Sequence, residues 1–228
     1  MDWLDHFRRN HHAVPAIHWE HGVSIPSAAT PAVVRSLARL ASELLADPSA
    51  LLRAAAATGD PRLSAALTLA CEERLIHGAM LDRAVLALGG NRQAPAARLG
   101  RKGLIPGLAR LWREALVARA FLRALHQSVD DPVLRQVCQV LLRELAGQLA
   151  FIRDTLRRRA AVHGEAARRS YHLMWSIGFQ LSSAGFFLHH GRALRALGQS
   201  PWQVWQEIGH SFAQSAERIL LPVEIRIA

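Results

Sequence analysis

Apolar residues recur every three or four positions along most of the chain, the spacing that places them on one face of an α-helix. Three stretches open with a capping residue followed by proline, at Thr30–Pro31, Asp60–Pro61 and Asp131–Pro132. Proline at the first helical position is a common helix start. The pattern predicts helices at about 31–45, 61–88, 108–126, 132–159, 170–190 and 202–220.

The order of these segments predicts a single all-α domain over residues 1–228. Residues 1–30 are predicted to be an irregular N-terminal strap, residues 31–160 a four-helix bundle and residues 165–228 additional C-terminal helices. A connection rich in Gly, Pro and Arg runs from Gly89 to Gly107, and a long crossover is typical of ferritin-type bundles. We therefore expect a ferritin-like four-helix bundle with additional C-terminal helices.

The charge is strongly positive, with 28 Lys and Arg against 18 Asp and Glu and a formal net charge of +10. Lys102 is the only lysine, and the arginines are scattered rather than interleaved with aromatic residues. Nucleic-acid surfaces usually concentrate their basic residues in one patch. The composition therefore disfavours a nucleic-acid partner.

Two cysteines, Cys71 and Cys138, lie inside apolar helical patterns and belong to no CxxC pair, which predicts buried, reduced thiols. The N-terminus carries charges where a signal peptide needs its apolar stretch. These features predict a cytoplasmic protein.

The segment 170–190 carries no formal charge apart from its histidines and is long enough to span a bilayer. Four polar residues fall at helical spacing on one face of it, namely His172, Ser176, Gln180 and Ser183. A polar stripe is costly in lipid. We therefore expect a helix buried against the bundle and no transmembrane insertion.

Five histidines lie near the N-terminus: His6, His11, His12, His18 and His21. Their spacings match no closed zinc pattern, and no cysteine accompanies them. Solvated or capping histidines are the favoured interpretation.

Two predicted helices each direct a carboxylate and a second polar side chain toward the core. Glu73 and His77 fall inside the apolar arc of the second helix, and Glu144 and Gln148 inside that of the fourth. Residues four apart share a helix face. These four residues are the candidate ligand-binding site.

Four segments of the chain resemble a group of bacterial ferritin-like domain proteins, within the non-haem di-iron carboxylate superfamily. They are NHHAVPAIHWEHG, RSLARLASELL, GDPRLSAALTLACEERLIHGAMLDRAVLALGG and DPVLRQVCQVLLRELAGQLAFI. The resemblance covers roughly residues 7–156. It implies a ferritin-like fold in which Glu-Glu-x-x-His on helix two and Asp-Glu-x-x-His on helix four supply metal ligands.

The ligand set that the resemblance implies is incomplete in this chain. His77 falls on a family histidine, whereas five other matched ligand positions hold Arg74, Leu145, Gln148, Leu44 and Ala115. Glu43 and Glu114 stand one residue from the last two matched positions, about 100° away around a helix.

Two outcomes for the site remain open. Either the site is metal-free, with Arg74 or another arginine neutralising Glu73 and Glu144 as buried ion pairs, or Glu73, His77 and Glu144 hold one iron or manganese ion, with water or Gln148 completing the shell. The first outcome is the working hypothesis, with no cofactor.

The expected function is that of a protein related to di-iron oxidases and oxygenases that lacks an intact dinuclear site and keeps a polar small-molecule pocket. Whether it is an enzyme stays open, because Glu73, His77 or Glu144 could still serve as acid or base. The alternatives are a mononuclear metal-dependent oxidoreductase and a non-catalytic protein that binds a partner or a membrane surface. A homo-oligomer is compatible with each of them.

Overall fold

The computed structural model describes residues 2–11, 16–93 and 103–220. Within these ranges every regular element is helical and there is no strand, which confirms the all-α class. The helices are α1 (Trp3–His11), α2 (Thr30–Leu44), α3 (Ser49–Ala56), α4 (Pro61–Ala87), α5 (Leu104–Ser128), α6 (Pro132–Ala161), α7 (Glu165–Ala196) and α8 (Pro201–Leu220), with a 3₁₀ turn at Trp19–His21.

Two of the three predicted helix caps are confirmed. The Asp60 carboxylate accepts a hydrogen bond from the Leu63 N–H at 3.0 Å, and Asp131 accepts one from the Leu134 N–H at 2.7 Å. Thr30 does not cap α2 with its side chain, because its hydroxyl donates backward to the Pro26 carbonyl at 3.1 Å. Each aspartate satisfies a backbone donor that helix geometry leaves without a partner.

Four long helices, α2, α4, α5 and α6, carry most of the core. α2 packs on α4, α5 on α6, and α4 on α6, while the short α3 lies against α4 and α5. The largest fully buried side chains include Trp112, Phe121 and Phe151. A bundle of this kind sets inward residues of α4 and α6 against each other, which positions the candidate site.

Residues 1–30 were predicted to be an irregular strap. This prediction is wrong for the first part of the segment, which forms α1. Trp3 and Phe7 stand one turn apart on this helix, and both rings make edge-on contacts with Phe151 of α6. The Trp3 indole Nε1–H donates to the Asp154 carboxylate at 2.7 Å. A helix of nine residues with two aromatic anchors is too short to produce a clear periodic pattern, so the sequence showed only the breakers around it.

The helix α7 is longer than the predicted segment 170–190, and one of its faces packs on α2, α5 and α8. Its buried residues Phe179 and Phe186 form an aromatic cluster with α8, and Trp175 joins this cluster through Trp112 of α5. The Phe179 ring stacks on Trp205 at 4.6 Å between ring centroids and on Phe212 at 4.4 Å. This cluster attaches the two C-terminal helices to the bundle.

The prediction that this helix is buried against the bundle is wrong for its outer face. Five large apolar residues are exposed there: Leu173, Met174, Ile177, Leu181 and Leu188. His172 and Gln180 are also exposed, Ser176 is half-buried, and the Ser183 side chain lies outside the described residues. A helix that is apolar on most sides does not indicate which side packs. None of the helices in the described ranges is long and apolar enough to cross a membrane.

Candidate functional site

The four candidate residues are all buried where α4 faces α6. Glu73 and His77 project from α4 with 8% and 0% of their surface exposed, and Glu144 and Gln148 project from α6 with 4% and 5%. Each pair is separated by four residues, so both side chains of a pair lie on one helix face. The structure thus brings together the residues that the helical pattern selected.

Two hydrogen-bonded pairs link the helices across this interface. The Gln148 Nε2–H donates to the Glu73 carboxylate at 2.6 Å, and the His77 Nε2 shares a hydrogen bond with the Glu144 carboxylate. The second Glu144 oxygen accepts from Arg143 at 3.3 Å. Buried polar side chains are costly without partners, and here the two helices satisfy each other.

The environment of Glu144 favours its ionised form. Burial acts to raise the pKa of this carboxyl, but the hydrogen bond and charge of His77, together with Arg143, outweigh burial and lower it. A buried carboxylate with charge-assisted partners keeps its charge at neutral pH. Glu73 accepts its hydrogen bond across the interface from the Gln148 amide.

Arg74 occupies the interior close to these pairs, but its partners differ from those predicted. With 5% of its surface exposed, it donates to the Glu114 carboxylate at 2.7 Å, to the Leu44 carbonyl at 3.2 Å and to the Glu43 carbonyl. Burial lowers the pKa of Arg74, and Glu114 opposes that effect. Because α2 ends at Leu44, the guanidinium caps its last carbonyl groups.

Further charged residues surround this guanidinium and form a network between α2, α4 and α5. Arg110, one turn earlier on α5, donates to the second Glu114 oxygen at 2.7 Å, and Arg39 donates to Glu43 at 2.7 Å. Burial, followed by the nearby Glu114, raises the pKa of Glu43. Glu114 therefore bridges two arginines instead of lying on the open surface.

A small cavity of about 20 Å³ lies beside this network. Its walls include the side chains at all five matched positions that lack a family ligand: Leu44, Arg74, Ala115, Leu145 and Gln148. A volume of this size holds about one water molecule. The cavity accommodates no organic ligand in this conformation.

The residues in the interior do not fit a metal ion. Within the described ranges, Glu73, His77 and Glu144 do not form a group whose ligand atoms all lie within 4.8 Å of one another. The His77 Nε2 is already turned to Glu144, while its Nδ1 is buried and has no partner in the described part of the chain. Arg74 adds a permanent positive charge that repels a cation. The one-metal alternative therefore requires the site to rearrange.

One three-residue group at the N-terminus does meet that distance criterion. His18, Glu20 and His21 come together at the 3₁₀ turn and are all exposed. The His18 Nδ1 lies 2.9 Å from the Glu20 carboxylate, and the His21 Nε2 lies 4.0 Å from the same oxygen. His12 and the side chain of His11 lie outside the described residues. The arrangement is compatible with the predicted solvated histidines.

A buried polar pair that the sequence did not reveal joins α2 to α7. His190 has 3% of its surface exposed, and its Nδ1 shares a hydrogen bond with the hydroxyl of the buried Ser36. Burial, followed by the charges of His189 and Arg39, lowers the pKa of His190 to about 3. The imidazole is therefore neutral in the folded protein. Ser36 on the inward face of α2 was the only signal available in the sequence.

Both cysteines are buried and free of disulfides, as predicted. Burial raises the pKa of the Cys71 thiol to about 11 and that of Cys138 to about 12. The thiolate is the reactive form of cysteine, so neither residue is a suitable nucleophile.

Comparison of the chain with family models, curated proteins and solved structures finds no match. The resemblance to ferritin-like domain proteins and the cytoplasmic location therefore stay predictions. The geometry of the site has to support a function by itself.

Proposed function

We propose that this protein is a ferritin-like helical bundle that has lost metal-dependent oxidation and acts by binding other molecules outside its interior cavity, which at about 20 Å³ holds no organic ligand. The observation that carries the proposal is the Arg74 guanidinium, which lies beside the interior cavity where the resemblance would place a ligand carboxylate. It is held there by Glu114 and by the end of α2. Its position is incompatible with a pair of metal ions in the same space.

The side chains around the cavity agree with this proposal. A dinuclear centre needs bridging oxygen ligands for two ions about 3.5–4 Å apart. Leu44, Ala115 and Leu145 line the cavity but offer no ligand atom. Hard metal ions prefer carboxylate and imidazole ligands, so these substitutions remove the chemistry of the site while keeping its apolar packing.

Under this proposal the two pairs between α4 and α6 are structural cross-links. Neither Glu73 nor His77 nor Glu144 lines the cavity, so a substrate there could not reach them as acid or base. Each of the three side chains instead takes part in a hydrogen bond to the facing helix. Because these buried hydrogen bonds form only when α4 and α6 are aligned in one way, they favour that alignment of the two helices over others.

Iron uptake tests the loss of the metal site. We expect the purified protein, incubated anaerobically with ferrous iron and desalted, to retain no stoichiometric pair of irons. A matched variant that restores the implied ligands should gain uptake; its substitutions are Leu44→Glu, Arg74→Glu, Ala115→Glu, Leu145→Glu and Gln148→His. Elemental analysis and absorption spectra after exposure to air provide the measurement.

Two results would contradict this proposal. Two irons per wild-type chain with an oxo-bridged absorption band would restore an oxidase. One bound metal that is lost in His77→Ala would establish the mononuclear alternative.

A second candidate function, association with an anionic membrane surface, is favoured by the outer face of α7. Leu173, Ile177, Leu181 and Leu188 have between 51% and 76% of their surface exposed. Exposed apolar side chains in a continuous stripe are typical of interaction surfaces. Trp202 at the start of α8 is also 59% exposed and stacks on Phe187 of α7.

The charges at the two ends of this stripe favour a lipid surface over a second copy of the chain. Arg168 and Arg169 precede the stripe, and Arg192 and Arg195 follow it. Glu165 is the only acidic residue of α7, and it already accepts a hydrogen bond from Arg169 at 2.6 Å. Two copies paired through the stripe would bring arginines close to arginines. An amphipathic helix lying on anionic lipid instead buries its apolar face and pairs its basic residues with headgroups.

Vesicle sedimentation tests the membrane candidate. We expect the protein to sediment with vesicles that contain phosphatidylglycerol, and less so at high salt. The double substitution Ile177→Glu and Leu181→Glu should weaken binding at least tenfold, because each apolar side chain contributes about 1.5–3 kcal/mol on burial. Leu86→Glu on α4 is the matched control, since Leu86 is likewise exposed at 44% and lies off the stripe.

Binding to neutral phosphatidylcholine vesicles with equal affinity would contradict the role of the arginines. A dimer in sedimentation velocity that Ile177→Glu and Leu181→Glu dissociate would assign the stripe to a second copy of the chain.

A further inference from the structure

A cleft of about 500 Å³ opens between α1, the start of α4 and the second half of α6. Trp3, Leu63 and Phe151 contribute apolar surface to it, and Thr155, Arg158 and Arg159 of α6 contribute polar groups. This volume falls in the range of small-molecule sites, which are mostly apolar with a few polar groups that fix orientation. It shares only Phe151 with the interior cavity.

Thr155 is a buried polar residue of this cleft that lacks a partner. Its side chain lines the cleft, 2% of its surface is exposed, and its Oγ1 makes no hydrogen bond within the described part of the chain. A hydroxyl in this state is unfavourable, because burial removes water without supplying a replacement. A ligand atom that accepts its hydrogen bond would remove that deficit.

Arg159 lies one helical turn beyond Thr155, on the same face of α6. Its side chain is about two-thirds buried, and its one described ion pair is with Asp60 at 3.8 Å, which is too long for a hydrogen bond. The other Asp60 oxygen already caps α4. Arg159 therefore presents several donors that no residue in the described ranges uses.

The other two arginines of the cleft differ in this respect. Arg62 is bonded to Asp2 at 2.8 Å, and Arg158 donates to Asp154 at 2.8 Å. Their charges are already matched by carboxylates. Arg159 is thus the cleft's available cationic group, and it lines the same cleft as the Thr155 side chain and the rings of Trp3 and Phe151.

We propose that this cleft binds a small organic carboxylate with an aromatic or aliphatic body. The carboxylate accepts hydrogen bonds from the Arg159 guanidinium, whose planar donors match its two oxygens, and from the Thr155 hydroxyl. The apolar body lies against Trp3 and Phe151. This function goes beyond the loss of the metal site and does not depend on it.

The charges of the cleft select a carboxylate over a phosphate. Asp2 and Asp60 also line it, and they would repel a group that carries close to two negative charges at neutral pH. A single negative charge is balanced by Arg159, the one arginine of the cleft with no hydrogen bond to a carboxylate among the described residues. The apolar area beside it excludes small inorganic anions as the preferred ligand.

Isothermal titration of the full chain with 1-naphthoate tests the proposal, with 1-naphthol and 1-naphthyl phosphate as comparison probes. We expect 1-naphthoate to bind, and both comparison probes to bind at least tenfold more weakly. Arg159→Gln should weaken 1-naphthoate binding about tenfold or more, since it removes the charge-assisted hydrogen bonds to the carboxylate. Arg157→Gln is the matched control, because Arg157 is exposed on the same helix and does not line the cleft.

Thr155→Val separates a binding role from a structural one. This substitution removes a hydroxyl without a partner and keeps the shape of the side chain. We expect the midpoint of urea unfolding to stay the same or rise, while 1-naphthoate binding weakens severalfold. The proposal is overturned if 1-naphthoate does not bind at millimolar concentration, if Arg159→Gln and Thr155→Val bind it as the wild type does, or if the alcohol or the phosphate binds as tightly.

Discussion

Replacing Arg74 with methionine is expected to lower the free energy of unfolding by about 3–5 kcal/mol, the cost of breaking a buried ion pair from one side. Methionine fills much of the same volume, so loss of packing is small. Glu114 would keep Arg110 but lose its buried partner, and the Leu44 and Glu43 carbonyls at the end of α2 would lose their donor. The loss of hydrogen bonds, rather than a cavity, would account for the effect.

Urea unfolding followed by circular dichroism gives the measurement. Arg110→Met is the matched control, because Arg110 pairs with the same carboxylate but its side chain is 32% exposed. A pair near the surface contributes about 0–1 kcal/mol, so we expect a change of that size. Adding Glu114→Gln to Arg74→Met should recover part of the loss, since it removes the charge that was left behind.

A loss below about 1 kcal/mol for Arg74→Met would contradict the structural role that we assign to this residue. It would also weaken the proposed function, which depends on Arg74 being held firmly beside the cavity.

Acid is expected to destabilise the protein through His190 well before the carboxylates are protonated. The pKa of His190 is lowered from 6.5 to about 3 by burial first, and then by the charges of His189 and Arg39. Between these two values the unfolded chain binds a proton that the folded chain does not, so stability rises with pH in this window and is lost as the pH falls from 6.5 toward 3. The slope from this residue approaches about 1.4 kcal/mol per pH unit.

Two other groups, His189 beside His190 and Glu43 bonded to Arg39, have shifted pKa values that affect the same pH window. On its own helix His189 has a pKa lowered by burial and by Arg39, which adds to acid sensitivity. On α2, burial raises the pKa of the Glu43 carboxyl. Its contribution to stability therefore has the opposite pH dependence: as the pH falls, protonation of Glu43 in the folded state removes a buried charge and stabilises the protein. A variant that removes only the His190 titration is therefore needed to isolate its effect.

The substitution His190→Gln supplies that comparison, because glutamine does not titrate and can still bond to Ser36. We expect its unfolding free energy to fall less steeply than that of the wild type between pH 6.5 and 4, by about 1 kcal/mol per pH unit. His172→Gln is the control on the same helix, since His172 is exposed. Parallel pH profiles for the wild type and His190→Gln would show that the buried imidazole does not control acid stability.

The helices and the inward direction of the candidate residues could be predicted from local sequence. Asp60 and Asp131 start α4 and α6 because a short carboxylate before proline satisfies the first free backbone donors. Glu73 and Glu144 were placed inward because helical periodicity assigns each residue to a face. The helix starts and the inward faces depend only on residues a few positions apart in the sequence, so each can be determined from a single helix.

The partners of those residues could not be predicted, because they depend on how far one helix is displaced along another. One alternative paired Glu73 and Glu144 with Arg74 or another arginine; Glu144 does accept from the adjacent Arg143, but across the interface the partners are Gln148 and His77. Arg74, on the same helix as Glu73, instead reaches the end of α2 and Glu114 on α5. Opposite charges attract in many possible pairings, so the partners depend on how the helices are aligned along one another in the packed bundle.

Local sequence by itself therefore determined an all-α chain, two capped long helices and which side of α4 and α6 faces inward. The tertiary structure alone decided that α1 forms, because Trp3 and Phe7 need Phe151 of α6 to bury their rings. It also decided that the apolar outer face of α7 stays exposed, since a helix with apolar residues on several sides packs on whichever side meets a neighbour. The hydrophobic effect is not directional, so the positions of the neighbouring helices determine which face of α7 is buried.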